Sequence, residues 1–542
     1  MSARTLTGWT RDSGRETVGR KVLVTDPIAQ DGIDALAAQA EVDVRLGISP
    51  EELKGIIGEY DALVVRSETK VTASIIEAAK KLEVIGRAGA GVDNIDVEAA
   101  TQRGIIVVNA PLGNSISAAE HAIALMLALS RHIPQANASL KSGEWDRRSF
   151  MGVEVRGKTL GIIGLGQIGS EVARRARGLE MHVIACDPFV AQERAQVLKA
   201  EMVSLEELLS RSDYIGIHTV LTPQTKGLIG EKELGMVKPG VRIVNVARGG
   251  IVDEEALYRA VEEGRVAGAA VDVFSKEPPG DNILLKSDRI IVTPHLGAST
   301  AEAQERVALD VAEQIIAIFR GEPPQYSVNA PLVPAETMAV IGPYLDVAIR
   351  TASLATQLSE GQLGSVDVEY MGEIADHDVT PLKAAVIKGL LEPVSEENVT
   401  IVNANLVAEH RGLRINERKG SYEGIYTNLI RVQATTSKGT TTVAGTMGHD
   451  GPHIVLINEF WVDVYPGDGY LLICENVDRP GMIGSIGMIL GEHKININSM
   501  RVSGNQRGRA MMVLGLDGPV NDEVIEEITT APDMFSVRQA KI

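Results

Sequence analysis

The chain has 542 residues, of which 44% are hydrophobic and 23% are charged. This length predicts about three to four domains, since a typical domain has roughly 150 residues. The 53 Lys and Arg residues are outnumbered by 72 Asp and Glu residues, which gives a net charge of −19. Such a field repels phosphate backbones and anionic lipids, so nucleic acid and membrane surfaces are poor partners. No apolar run reaches the ~20 residues that span a bilayer.

Cysteine usage indicates a reducing compartment. Cys186 and Cys474 cannot form a disulfide framework, and neither has metal-ligand spacing to other residues. We therefore predict no metal site and expect a cytoplasmic protein, with an organelle stroma as the alternative. Residues 1–20 contain four arginines but also Asp12 and Glu16, which argue against a targeting peptide. We interpret them as a disordered leader.

Two series of short β-branched runs alternate with helical patterns, which is typical of parallel α/β sheets. The first series contains runs at 21–25, 42–46, 62–66, 82–86 and 104–109. After a helical stretch at 115–131, the second series contains runs at 159–164, 182–187, 214–219, 242–248, 267–274 and 289–295. The two series predict two doubly wound, Rossmann-like sheets of five and six strands.

Two smaller domains are expected beyond the linker-like segment 321–331. Residues 331–469 begin with a helical pattern and contain a predicted α+β intervening domain, with a hairpin that turns at 437–439. Residues 470–542 follow a β-α-β-β-α-β order, which predicts a ferredoxin-like domain.

A dinucleotide-binding fingerprint follows the first strand of the second series. The run TLGIIG leads into Gly164, Gly166 and Gly169 at the start of a helix, and Asp187 ends the next strand. Gly164 permits a tight turn, Gly166 lets the backbone approach a pyrophosphate, and Gly169 allows close helix packing. Because Asp187 accepts hydrogen bonds from ribose hydroxyls and repels a 2′-phosphate, the pattern favours NAD over NADP.

The fingerprint begins in the middle of the chain, so the NAD-binding domain looks inserted. We expect the helical pattern at 299–321 to return to the first sheet, which leaves a hinged cleft between the two domains. The predicted division is a substrate-binding domain at 21–112 plus 299–325 and an NAD-binding domain at 113–298.

Three polar residues, Arg248, Glu277 and His295, follow strands in the second half of the NAD-binding domain. Carboxyl ends of parallel strands form the ligand crevice, so all three are expected near the nicotinamide. His295 suits the base that takes a hydroxyl proton, with Glu277 orienting its imidazole. Arg248 suits a carboxylate or carbonyl partner. Each residue alone also has an ordinary structural explanation, as a loop Arg, a turn Glu or a strand-capping His.

The chain resembles the D-isomer-specific 2-hydroxyacid dehydrogenase family across residues 21–325, in the blocks GRAGAGVDNID, NSISAAEHAIALML, GLGQIGSEVARRA, NVARGGIVDEEAL, DVFSKEPP and TPHLGASTAEAQ. The resemblance places the family's catalytic triad on Arg248, Glu277 and His295. It further implies cofactor contacts from Gln167, Ile168, Asp187, Thr219, Val246, Ala247, Arg248, Asp272, His295, Gly297 and Ala298.

The whole chain is most similar to long members of this family that oxidise D-3-phosphoglycerate to 3-phosphohydroxypyruvate in serine biosynthesis. Residues 331–469 resemble their intervening domain, and 470–542 resemble an ACT regulatory domain. The resemblance implies NAD as cofactor and a homodimer or homotetramer. Another D-2-hydroxy acid as substrate, or an NAD-sensing scaffold without turnover, stays open as an alternative.

The anionic groups of such a substrate require positive and N–H partners on the first domain. The candidates are Arg66, Lys70, Arg87, Gly89, Ala90 and Gly91. Arg147 and Arg148 resemble a segment that reaches into the partner's cleft in the family's dimers, or else form a solvated surface. Ala90 stands where some relatives have threonine, which puts one hydroxyl contact to the cofactor phosphate in doubt.

The ACT resemblance also implies an amino-acid effector, for which L-serine is the expected ligand. The expected pocket lies between the paired ACT domains of two chains, where Asp478 would meet the ammonium group and Asn496 the carboxylate or side chain. The alternative is an ordinary helix cap and a surface asparagine. The basic stretch 410–419 is either a second anion site or a solvated loop.

Overall fold

The computed structural model describes residues 19–331, 333–395, 398–467 and 469–542. Nearly all of the predicted leader at 1–20 therefore lies outside the described residues. Within these ranges the chain forms sheets of five, seven, six and four strands.

The first sheet is parallel and has the strand order β2-β1-β3-β4-β5. Its strands are β1 (Lys21–Val24), β2 (Glu41–Val44), β3 (Ala62–Val65), β4 (Val84–Arg87) and β5 (Ile106–Asn109). The helices of this domain are α1 (Gln30–Ala37), α2 (Pro50–Ile56), α3 (Ala73–Ala78), α4 (Val97–Gln102) and the later α12 (Ala301–Phe319).

The long helix α12 packs on this first sheet, although it follows the second sheet in the chain. Val311 and Ile315 of α12 share a buried core with Val22 and Val24 of β1. A Cβ atom at Gly32 of α1 would lie 2.7 Å from the Ala308 side chain, so this glycine permits close contact between the two helices. The chain therefore crosses twice between the first and second sheets.

The second sheet is parallel and has the order β12-β11-β10-β9-β6-β7-β8. Its strands are β6 (Thr159–Ile163), β7 (His182–Cys186), β8 (Glu201–Met202), β9 (Tyr214–Ile217), β10 (Val241–Asn245), β11 (Val266–Val271) and β12 (Ile290–Val292). Its helices are α5 (Ser115–Arg131), α6 (Ile133–Lys141), α7 (Gln167–Gly178), α8 (Gln192–Val197), α9 (Leu205–Arg211), α10 (Glu231–Met236) and α11 (Glu254–Glu262). The strand order reverses beside β6, where α/β folds bind their ligands.

The third sheet belongs to the intervening domain and is mixed, because β13 pairs in parallel with β14 while the other pairs are antiparallel. Its order is β14-β13-β15-β16-β17-β18. The strands are β13 (Leu363–Gly372), β14 (Arg414–Gly420), β15 (Asn428–Thr436), β16 (Gly439–Met447), β17 (Pro452–Ile457) and β18 (Phe460–Val464). The helices are α13 (Ala335–Ile341), α14 (Tyr344–Leu358), α15 (Thr380–Leu391) and α16 (Ala404–His410). The predicted hairpin is the pair β15 and β16.

The fourth sheet is antiparallel, with the order β20-β21-β19-β22. Its elements confirm the β-α-β-β-α-β order: β19 (Tyr470–Val477), α17 (Met482–Glu492), β20 (Ile497–Gly504), β21 (Arg509–Leu516), α18 (Asp522–Thr530) and β22 (Met534–Lys541). One face packs on its own helices. On the other face, Ile473 and Val513 join the core of the intervening domain, so the last two domains share one hydrophobic core.

The segment expected to be a linker is held by the first sheet. The N–H of Val328 donates to the Val107 carbonyl at 2.8 Å, and the Asn329 side chain accepts the N–H of Val107 at 2.9 Å. The intervening domain adds a second contact, where Thr400 Oγ1 donates to the Gly104 carbonyl at 3.3 Å. The C-terminal half is thus attached to the domain of the first sheet.

No helix in the described ranges combines the length and the apolar character that a membrane-spanning segment needs.

Candidate active site

A cavity of about 1100 Å³ lies between the first and second sheets. Its walls include Arg66, Lys70, Arg87 and Gly89 from the first domain and Glu277, His295 and Ala298 from the second. The cavity therefore brings four predicted substrate residues together with two members of the predicted catalytic triad.

The pair His295 and Glu277 forms one wall of the cavity. His295 Nδ1 lies 2.8 Å from Glu277 Oε2, and Glu277 Oε1 accepts the N–H of Phe274 at 3.0 Å. Burial raises the pKa of Glu277, but the His295 and Phe274 hydrogen bonds outweigh it, so the net pKa lies below its ordinary value. Glu277 is therefore an anion at neutral pH that orients the imidazole.

Asp272 anchors the turn that carries His295. It is fully buried and accepts hydrogen bonds from the N–H groups of Leu296 at 2.8 Å and Gly297 at 2.9 Å. Its carboxylate also meets His121 Nε2 at 3.2 Å and the Thr293 hydroxyl. Burial raises the pKa of Asp272, but these donors outweigh that effect, and the net shift is downward. Asp272 acts here as a positioning residue, and its predicted cofactor contact stays a prediction.

Three guanidinium groups lie close together on the opposite side of the cleft, where Arg66 and Arg87 line the cavity and Arg248 lies beside it. Arg87 is crowded by Arg248 and Arg66; burial and these two like charges lower its pKa to about 10, although Asp93 and Asp26 oppose the shift. The Nε atom of Arg87 is buried without a hydrogen-bond partner in the described residues. A desolvated cation with an open donor is a strong site for an anionic ligand.

The backbone of Arg66 is held by two side chains, Asp26 and Asn94. Asp26 is 1% exposed and accepts the N–H groups of Arg66 at 2.6 Å, Glu68 at 3.2 Å and Thr69 at 3.1 Å. Asn94 donates to the carbonyls of Arg66 at 2.8 Å and Thr69 at 2.7 Å. The Asn94 bonds join the turn at 66–70 to the loop at 89–96, and both segments contribute to the same wall of the cavity.

The glycine-rich turn has the geometry that a dinucleotide requires. Gly164 has φ 92°, and a Cβ atom at Gly169 would lie 2.1 Å from the Gly164 carbonyl oxygen. Gly166 faces open space, because a Cβ atom at this residue would have no neighbour within 4 Å. Helix α7 then begins at Gln167 and directs its free N–H groups toward that space. The residues present therefore fit the pyrophosphate of NAD.

Asp187 ends β7 beside this turn. Its Oδ2 accepts the N–H of Leu165 at 2.8 Å, and its Oδ1 accepts the N–H of Phe189 at 2.9 Å. The carboxylate thus lies at the edge of the glycine-rich turn, where the predicted ribose contact requires it.

The other predicted cofactor residues cluster around the same edge. Thr219 follows β9, and its backbone nitrogen would lie 2.9 Å from a Cβ atom at Gly164. Val246 and Ala247 are buried after β10, and Val246 packs against Gly297, where a Cβ atom would lie 3.1 Å away. Ile168 is half-buried in the first turn of α7, and Ala298 lines the cavity.

Some predicted substrate residues lie outside the cavity wall. Arg147 and Arg148 are exposed on the segment after α6, and neither lines the cavity. Ala90 and Gly91 are also absent from its lining, but Gly91 approaches Arg248, whose Nη2 would lie 2.1 Å from a Cβ atom at Gly91. Arg248 donates to the Ala247 carbonyl at 2.8 Å and meets Asp93 across the cleft.

The predicted effector residues Asp478 and Asn496 lie apart within one chain, as a pocket between two paired C-terminal domains allows. Asp478 lies by Gly504 at one end of β20, where a Cβ atom would be 2.7 Å from its Oδ2. Asn496 precedes the other end of β20 and donates to Asp517 at 2.7 Å. Seven strand positions separate the two ends, which corresponds to about 23 Å. A shared site therefore requires two chains.

The basic stretch at 410–419 includes most of β14, the edge strand of the third sheet. Lys419 donates to the His377 carbonyl. Among the described residues, no group of three or more His, Cys, Asp or Glu side chains is placed to hold a metal ion.

Sequence reasoning missed four residues that shape the site: Asp26, Asp93, Asn94 and His121. Asp26 follows β1 at the carboxyl edge of the sheet, which is a signal that strand order makes available. The roles of Asn94 and His121 depend on contacts with residues 25 and 151 positions away, which spacing does not reveal.

Two Rossmann-like domains with a histidine and carboxylate pair in their cleft define a nicotinamide-dependent oxidoreductase. The family model of the D-isomer specific 2-hydroxyacid dehydrogenase NAD binding domain matches residues 123–297. The models of the D-3-phosphoglycerate dehydrogenase intervening domain and of the ACT domain match residues 340–458 and 470–533.

Curated relatives match nearly the whole chain. It is 45% identical over 519 residues to the D-3-phosphoglycerate dehydrogenase of Methanocaldococcus jannaschii, covering 95% of this chain and 99% of that protein. It is 42% identical over 528 residues to the chloroplastic D-3-phosphoglycerate dehydrogenase 2 of Arabidopsis thaliana, and this match covers 94% of this chain and 84% of that protein. The chain belongs to the D-3-phosphoglycerate dehydrogenase family.

A solved structure of a D-lactate dehydrogenase from Aquifex aeolicus, complexed with NAD and lactic acid, is 27% identical, with a TM-score of 0.53. The match covers 58% of this chain and 100% of that one. It supports the two-domain dehydrogenase fold and NAD as the cofactor.

Proposed function

We propose that this chain oxidises D-3-phosphoglycerate to 3-phosphohydroxypyruvate with NAD, as the first step of serine biosynthesis. The observation that carries the proposal is one cavity that holds both the His295 and Glu277 pair and the cations Arg66, Lys70 and Arg87. A 2-hydroxy acid with a second anionic group fits this arrangement, because each anion can meet a guanidinium while the hydroxyl lies at the imidazole.

His295 is the base in the proposed reaction. Its Nδ1 is bonded to Glu277, so Nε2 takes the proton of the substrate hydroxyl. Glu277 stabilises the imidazolium that forms, and Arg248 binds the substrate carboxylate. When bound, NAD supplies the hydride acceptor. The hydroxyl oxygen loses one proton to His295, and the carbon that bears this hydroxyl loses one hydride. The two losses convert the alcohol to the ketone.

The residues proposed to hold NAD follow the carboxyl edge of the second sheet. Gly164, Gly166, Gln167, Ile168 and Gly169 would hold the pyrophosphate, and Asp187 the adenosine ribose. The remaining proposed contacts are Thr219, Val246, Ala247, Asp272, His295, Gly297 and Ala298.

A substrate panel tests the proposed function. NADH formation by the full-length protein is measured with D-3-phosphoglycerate, D-glycerate and D-lactate. The value of kcat/KM for D-3-phosphoglycerate should exceed the others at least about tenfold, since a charge-assisted contact is worth roughly 1.5–3 kcal/mol. Equal values would favour another 2-hydroxy acid, and NAD binding without turnover would favour a scaffold protein.

A homo-oligomer joined through the ACT domains is also proposed. Four apolar side chains are exposed on α17 and β20 of this domain: Ile483, Met488, Met500 and Val502, at 50%, 66%, 39% and 41%. Several exposed apolar side chains on one small domain are typical of a subunit interface. A dimer or tetramer would cover it, and the mass of the assembly by light scattering tests this directly.

L-serine is the proposed effector at that interface. Antiparallel pairing of two β20 strands about a two-fold axis brings the 496 end of one strand beside the 504 end of the other. Asp478 of one chain and Asn496 of the partner subunit would then bind one zwitterion. Calorimetric titration of the full-length protein with L-serine tests the proposal, which fails if no heat of binding is detected.

The domain division predicted from the sequence, at 21–112 plus 299–325, 113–298, 331–469 and 470–542, is kept as a proposal, and limited proteolysis tests its boundaries. A cytoplasmic location is likewise proposed, because Cys186 and Cys474 are both free thiols.

A further inference from the structure

Asp93 of the first domain reaches across the cleft to Arg248 of the second. Its Oδ2 lies 3.3 Å from Arg248 Nε, and its side chain is 73% exposed, whereas that of Arg248 is 31% exposed. Within the described residues, Arg248 is the hydrogen-bond partner of the Asp93 carboxylate. Asp93 therefore contacts the guanidinium to which the proposed function assigns the substrate carboxylate.

Two acids, Asp26 and Asp93, lie near the three guanidinium groups. They differ in how firmly their side chains are held. Asp26 is buried, and its oxygens accept three backbone N–H groups and the Thr69 hydroxyl. It cannot leave without unfolding the turn at 66–70. Asp93 is exposed and held by a single contact, so it can move away from Arg248 at little cost.

We propose that Asp93 is a displaceable counter-ion, which occupies the carboxylate position on Arg248 until substrate binds and thereby excludes small single anions. The proposal rests on the proposed role of Arg248. A substrate with two anionic groups gains contacts with Arg66 and Arg87 that offset the loss of the Asp93 pair. An inorganic anion or a short monocarboxylate gains fewer contacts and competes poorly, so specificity arises partly from exclusion.

Inhibition by inorganic sulfate tests the proposal, because sulfate is a small single anion that binds guanidinium groups without being a substrate. The Asp93→Asn variant should bind sulfate about two- to fivefold more tightly than the wild type, the range for an exposed ion pair. Its KM for D-3-phosphoglycerate should fall by a similar factor. Glu98→Gln is the matched control, since Glu98 is exposed on α4 and does not line the cavity. This control removes the same charge and should leave sulfate inhibition unchanged.

Other outcomes decide against the proposal. A raised KM with lowered kcat in Asp93→Asn would mean that Asp93 orients Arg248 for catalysis. Equal sulfate inhibition in the wild type and Asp93→Asn would mean that the ion pair has no role in exclusion. Calorimetric titration with sulfate compares the same proteins without turnover, so the role of Asp93 is decided even if the wild type fails to oxidise D-3-phosphoglycerate.

Discussion

His295 Nδ1 lies 2.8 Å from Glu277 Oε2, while the second carboxylate oxygen of Glu277 accepts the N–H of Phe274. The imidazole is thus oriented by a carboxylate that the backbone itself fixes. Because the carboxylate and the imidazole lie on separate turns after β11 and β12, the pair forms only when neighbouring strands are in register.

Replacing Glu277 with glutamine should reduce kcat roughly 10²-fold, because the protonated imidazole loses its anionic partner. The pKa of Glu277 is lowered, so its carboxylate persists as pH falls and is lost only below its ordinary titration range. The advantage of the wild type over Glu277→Gln should therefore persist as pH falls into that range, and equal kcat values of the two proteins at neutral pH would contradict the pairing.

Cofactor choice depends on Asp187. Asp187→Ala should weaken NAD binding and relax exclusion of NADP, since it removes the ribose acceptor and the charge that opposes a 2′-phosphate. Asp187→Asn tests the charge with one acceptor oxygen kept, because the amide can still accept one of the two backbone N–H groups that contact Asp187. Paired fluorescence titrations with NADH and NADPH measure both, and unchanged selectivity in both variants would refute this role.

The arginines of the first domain should discriminate between substrates. Arg66→Ala and Arg87→Ala are expected to reduce kcat/KM for D-3-phosphoglycerate by about 10- to 100-fold, the range for a lost charge-assisted hydrogen bond. D-glycerate should be affected much less, because it lacks the phosphate. Steady-state assays with both substrates decide the point. Equal losses would indicate a general structural defect instead of a phosphate site.

Serine inhibition should depend on Asp478. Asp478→Ala should raise the serine concentration for half inhibition, because the ammonium group loses its acceptor. Uninhibited turnover should change little, since the cleft lies in other domains, and inhibition requires serine to bind two states with different affinity. Asp522→Ala removes an exposed acid elsewhere on the same domain and should inhibit like the wild type. Unaltered inhibition of Asp478→Ala would assign this domain another ligand.

Most of the fold could be predicted from the sequence, because apolar periodicity reports burial. Helix α5 spans Ser115–Arg131, the range that its pattern predicts. The strand β8 of the second sheet was not predicted. It contains only two residues, which is too short to show an alternation of apolar and polar side chains. The hydrogen bond between the Val107 N–H of β5 and the Asn329 side chain was also not predicted, because side-chain hydrogen bonds leave no apolar pattern in the sequence.

The candidate site could be predicted where chemistry and strand ends coincide. Glu277 and His295 were found in this way, as was the glycine-rich turn. Asp478 and Asn496 lie near opposite ends of β20, and their joint site between two chains stays a prediction. The contact of Asp93 with Arg248 was not predicted, because the two residues lie 155 positions apart in the chain.

The central claim is that His295, held by Glu277, is the base that oxidises an anionic 2-hydroxy acid in this cleft. The most direct measurement is NADH formation from D-3-phosphoglycerate by the wild type and by His295→Asn, with NAD affinity measured in parallel. We predict a loss in kcat of about 10²- to 10⁴-fold in the variant, with NAD binding retained. Turnover near the wild-type value across the pH range would contradict the assignment.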